Sequence, residues 1–135
     1  MKLLCLDFDG TLHSYSSGWQ GADKIPDPPV PGAMEFLCDA MKSFRVAIFS
    51  SRSHQAGGRE AMQEWLYRHL NEYGRECGED SDDELDAVTV RLMASIEWPD
   101  HKPPAHVTLD DRAITFTGKF PSIEELIAFV PWNKK

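Results

Sequence analysis

Apolar residues along this chain fall into short runs with two different periods. Leu3-Leu4-Cys5-Leu6, Arg45-Val46-Ala47-Ile48-Phe49 and Val107-Thr108-Leu109 are short and mostly apolar, a pattern that suits strands covered on both faces of a parallel sheet. Between them apolar residues recur at helical spacing. Met34, Leu37, Cys38 and Met41 follow Pro31-Gly32, and Met62, Trp65, Leu66, Leu70 and Tyr73 line a predicted helix from about Arg59 to Tyr73, with Gly74 placed to stop it. Ser81 with Glu84 fits a capping box for a helix carrying Leu85, Val88, Leu92 and Met93, while Val88-Thr89-Val90 leaves a strand open there. Ile96-Glu97-Trp98 reads as a short strand and Ala113 to Phe116 as a further one. Ser122 with Glu125 caps a last helix that turns Ile123, Leu126, Ile127 and Val130 inward, and Pro131 ends it. This alternation predicts an α/β domain with a mainly parallel sheet.

Two polar stretches interrupt the pattern. The segment from His13 to Pro31 is rich in Ser, Gly and Pro, carries Trp19, and is long enough to read as a functional flap. From Arg75 to Asp86 the chain turns acidic, and residues 74–95 read as a small insertion. The acidic run lacks the ordered spacing of a calcium loop, so a solvated surface is the expectation.

A length of 135 residues fits one domain, 1–135, with room for one proper core. No stretch approaches the roughly 20 apolar residues that cross a bilayer, and none has the pattern of a signal peptide, so the expected location is cytoplasmic, without membrane. Cys5, Cys38 and Cys77 fit neither a disulfide framework nor a zinc site. A net charge of -8 argues against a nucleic-acid-binding surface, although a bound divalent cation reverses the field locally and leaves a small phosphorylated substrate open.

The predicted strands share a feature at their carboxyl ends. The first runs into Asp7-Phe8-Asp9-Gly10-Thr11, the second into Ser50-Ser51-Arg52, and the third into Asp110-Asp111-Arg112. Ligands of open α/β sheets bind at those ends, where strand order reverses. A lone turn or helix cap explains any one of these groups. It gives no reason for all three.

With Lys102 ahead of the third strand, these landmarks resemble the haloacid dehalogenase superfamily of phosphohydrolases, over Leu3 to about Gly118. The resemblance implies a Rossmann-like, doubly wound sheet with a short flap and no full cap domain. It implies Asp7 as the nucleophile that forms an aspartyl-phosphate, and Asp9 as the acid and base, which must start protonated. Gly10 and Thr11 would shape the phosphate loop, Ser50 would donate to the phosphoryl group, and Lys102 would neutralise its charge. Ser51 joins them as a substrate contact, and Arg52 and Arg112 are either substrate contacts or partners of surface acids.

Four carboxylates facing a phosphate dianion require a hard cation, and Mg²⁺ is the natural one. By the resemblance its ligands would be the Asp7 carboxylate, the Asp9 carbonyl and Asp111, with Asp110 held through water or hydrogen bonds. An aspartate at position 9 goes with phosphatases and mutases in this family, and the absence of a substantial cap favours hydrolysis. His13, Tyr15, Trp19 and Lys24 are candidate specificity residues in the flap. The expected function is a Mg²⁺-dependent phosphomonoester hydrolase. The alternatives are a nucleic-acid end phosphatase and a non-catalytic binding module on the same fold.

Overall fold

A computed structural model describes residues 1–78 and 81–134. Glu79 and Asp80, part of the acidic run, lie outside the described residues. In chain order the elements are β1 (Leu3–Leu6), α1 (Ala33–Ala40), β2 (Arg45–Ile48), α2 (Gly58–Cys77), α3 (Asp82–Ser95), β3 (Ile96–Glu97), β4 (Val107–Leu109) and α4 (Ile123–Ile127), followed by a 3₁₀ turn at Trp132–Lys134. No helix among the described residues is long and apolar enough to cross a membrane.

The four strands form one parallel sheet in the order β3-β2-β1-β4. The chain steps outward on one side of β1 to β2 and β3, then returns to place β4 on the other side, so strand order reverses beside β1. Leu4, Cys5 and Leu6 are all buried, as a continuously apolar strand requires. Leu4, Leu6, Val46 and Ile48 pack with Leu37 of α1 and Met62, Trp65 and Leu66 of α2 to make the core. Burying these branched and aromatic side chains contributes about 1.5–3 kcal/mol each.

Gly74 does not stop α2. The helix runs on to Cys77, and a Cβ at Gly74 would fall 2.3 Å from Cδ1 of Leu85. The glycine is there for close approach of α3. Thr89 reinforces that contact by donating to Asn71 on α2. The Ser81–Glu84 capping box is present, and Val88-Thr89-Val90 is helical. The described residues of 74–95 include the end of α2 and all of α3, a packed pair of helices that leads straight into β3.

Two expectations fail after β4. Ala113 to Phe116 forms no strand, and the apolar side of α4 is not turned inward, since Ile123, Leu126 and Ile127 are all exposed. The Asp110 carboxylate accepts the Arg112 N–H and turns the chain off the line of β4, so the Ile114 and Phe116 alternation meets no sheet edge to pair with. Ser122 still caps α4 by accepting the Glu125 N–H. Local capping signals survived where the tertiary inference did not.

Candidate functional site

β1 delivers Asp7 to the reversal point, and the Asp7 N–H extends the sheet by donating to the Leu109 carbonyl at 2.9 Å. Behind it the chain folds tightly. The buried Phe8 offers its carbonyl to the N–H groups of Thr11, Leu12 and His13, while the Gly10 N–H donates to His13 O. Gly10 sits at φ 83°, a conformation that favours glycine, and a Cβ there would fall 2.2 Å from Oδ2 of Asp111. The glycine thus makes room for the Asp111 carboxylate, where the sequence suggested room for a phosphate.

With that approach permitted, the carboxylate oxygens of Asp7, Asp110 and Asp111 come within 4.8 Å of one another. Burial above all, then the hydrogen bond shared with Asp111 and the charge of Asp110, pushes the Asp7 carboxyl up to about 8. Such a set suits a hard divalent cation, because all three donors are carboxylate oxygens and their mutual repulsion falls when a cation joins them. Both members of the Asp110-Asp111 pair reach the cluster. A hollow of about 250 Å³ opens beside it, lined by Gly10, Thr11, Asp110, Asp111 and Trp132 among others. The buried Thr11 hydroxyl oxygen in that lining has no hydrogen-bond partner among the described residues. A larger hollow, about 580 Å³, lies around Met1, Met41 and Phe44 and holds no such group of carboxylates among the described residues.

Asp9 faces a different environment. Arg52 grips its carboxylate with two donors, Nε to Oδ2 at 2.9 Å and Nη2 to Oδ1 at 3.1 Å. His13 Nδ1 lies 2.9 Å from the same Oδ1. The Asp27 N–H donates to His13 Nε2, which assigns the ring proton to Nδ1 and makes His13 a third donor to Asp9. Both Asp9 oxygens are acceptors here, the bonding pattern of a base and not of the acid that the resemblance requires at the start.

Arg52 is likewise not exposed toward a substrate. It is fully buried; its Nη1 donates to the carbonyls of Gly21, Ala22 and Lys24, and its Cζ lies 4.7 Å from the Trp19 ring centroid. The expected substrate contact is a clamp that ties the flap to Asp9. His13 is also buried, packed among Phe8, Tyr15 and Trp65, with Trp65 Nε1 donating to the Asp27 carbonyl. The flap residue expected to choose a substrate instead pins the flap to the core.

The other predicted residues divide. Ser50 is buried at the end of β2, and its Oγ accepts the Arg52 N–H at 3.2 Å, leaving the hydroxyl proton for another acceptor. Ser51 is exposed, and its carbonyl accepts from the Gln55 side chain. Lys102 is exposed on the connection between β3 and β4, with no hydrogen bond or ion pair among the described residues. Burial pushes the Cys5 thiol up, and Lys102 lies near enough to oppose part of that rise. Trp132 was not foreseen at all: its Nε1 donates to the Gly10 carbonyl at 2.8 Å, and no local pattern 122 residues away signals that bond.

No family model, curated protein or solved structure matches the chain. The class that fold and site define is therefore an α/β domain with an all-parallel, four-stranded sheet and a carboxylate cluster at its reversal point.

Two measurements test this geometry. Arg52→Ala strands the Asp9 carboxylate and three flap carbonyls, and urea unfolding is expected to show a loss of about 3–5 kcal/mol. A loss below about 1 kcal/mol would remove the clamp. The second is pH dependence without divalent cations. The folded state keeps a proton on Asp7 that the unfolded chain releases near 3.8, so stability declines as pH rises from there toward about 8. Urea midpoints between about pH 5 and pH 8 should fall in the parent protein and fall less in Asp7→Asn.

Proposed function

We propose that the protein is a Mg²⁺-dependent phosphomonoester hydrolase of the haloacid dehalogenase type. The observation that carries this reading is the convergence of Asp7, Asp110 and Asp111 beside a hollow at the reversal point of a parallel sheet. Phosphoryl transfer needs a nucleophile, a cation to offset charge and a group that moves a proton; Asp7 would be the first, the three carboxylates would hold the second, and Asp9 would be the third.

Asp7, Asp110 and Asp111 would hold the Mg²⁺, which supplies Lewis-acid stabilisation of phosphoryl charge. An Asp7 carboxylate oxygen attacks phosphorus, the new O–P bond forms, and the bond from phosphorus to the ester oxygen breaks. The departing oxygen takes up a proton and leaves as an alcohol. Water then attacks the aspartyl-phosphate and passes a proton to Asp9, releasing inorganic phosphate and restoring Asp7. The pairing of Asp9 with Arg52 and His13 suits that second step directly. For the first, Asp9 must arrive carrying a proton, with its hydrogen bonds to Arg52 loosened. Ser50 would donate its free hydroxyl proton to the phosphoryl group, and Lys102 would swing in from solvent.

The test is turnover of an aryl phosphate by purified protein. Activity should require Mg²⁺, disappear with a chelator, and fall at least about 1,000-fold in Asp7→Asn. Mg²⁺-dependent turnover that survives Asp7→Asn overturns the mechanism.

A further inference from the structure

β4 is an edge strand, paired with β1 alone. Its Val107 and Leu109 are about half exposed, as is Phe36 of α1. With Leu6, Leu12, Val30 and Ala33, Leu109 and Phe36 line an open apolar groove of about 180 Å³. Beyond β4 the chain leaves the sheet as an arm and returns at Trp132, where the bond to Gly10 and the Asn133 contact with Ser14 fix its far end. Between these anchors the apolar side chains face solvent: Phe120 is 88% exposed, Ile127 79% and Ile123 66%.

We infer that this arm docks on a second copy of the chain, with the apolar side of α4 from each copy seated in the groove beside β4 of the other. Three observations support this occupant. Ile123, Leu126 and Ile127 lie at i, i+3 and i+4 on one face of α4, and all three are exposed, as is Val130 just beyond it. Summed along the arm, the apolar residues from Ile114 to Val130 leave on the order of 1,000 Å² in solvent. A stable dimer takes about 800 Å² from each partner, so the arm matches that need. Residues 113–134 also carry two lysines, Lys119 and Lys134, against Glu124 and Glu125, which leaves the arm neutral in a chain of net charge -8. The arm therefore approaches a second copy without the repulsion that a surface carrying the molecule's average charge would meet. Groove and arm lie on the same chain, so reciprocal docking closes as a twofold dimer.

Sedimentation equilibrium of the intact protein at about 50 µM, well above a micromolar dissociation constant, tests this. The expected mass is twice the 15.3 kDa of one chain. Ile127→Lys on the arm and Phe36→Lys beside the groove should each return it to one chain, with the circular dichroism of the parent. Should Phe36→Lys fail to fold, Ile127→Lys still decides, because Ile127 is already in solvent. A monomer at that concentration overturns the proposal, whether the arm folds back on its own groove or waits for a different partner. A dimer indifferent to Ile127→Lys overturns it as well.

Discussion

Four carboxylates stand at the carboxyl ends of β1 and β4, and the fold compensates them unequally. Asp9 receives a guanidinium and an imidazole N–H, three donors in all. Among the described residues, no lysine or arginine pairs with Asp7, Asp110 or Asp111. An uncompensated charge cluster in a half-buried place is costly, and the rise of Asp7 to about 8 expresses that cost. The fold tolerates it because Gly10 has no Cβ to keep Asp111 out.

The compensated carboxylate organises the flap. Arg52 reaches from the turn after β2 to Asp9 and to three carbonyls of the flap, so one buried side chain joins the ends of two strands to a loop of little regular structure. His13 and Asp27 close the other side of the same loop against Trp65. Strain or movement in the flap is thereby felt at Asp9. In the proposed hydrolase, a substrate that loosens Arg52 would also free Asp9, and this coupling would give the flap a part in the reaction.

What the sequence made legible was mainly local. β1 and β2 were readable because strands buried on both faces must be apolar throughout, β4 because Val107 and Leu109 are apolar even though about half exposed at the sheet edge, and the capping residues Ser81 and Ser122 start helices wherever they sit. Asp7, Asp110 and Asp111 were readable as a group because strand ends of a parallel sheet converge. Gly74 misled because a glycine that ends a helix and a glycine that admits Leu85 look alike in sequence. The roles of Arg52 and His13 were hidden because they depend on partners 43 and 14 residues away. The last 20 or so residues misled most: apolar periodicity announces that a face is to be buried, and does not say against which chain.

The proposed function requires that the uncompensated carboxylates bind a divalent cation. Isothermal titration calorimetry of the protein with Mg²⁺ alone examines this without any substrate. The expected result is saturable binding at one site per chain, lost in Asp111→Asn and retained in Arg52→Lys, whose position touches Asp9 and not the cluster. Absence of saturable binding, or binding that survives Asp111→Asn, would contradict it.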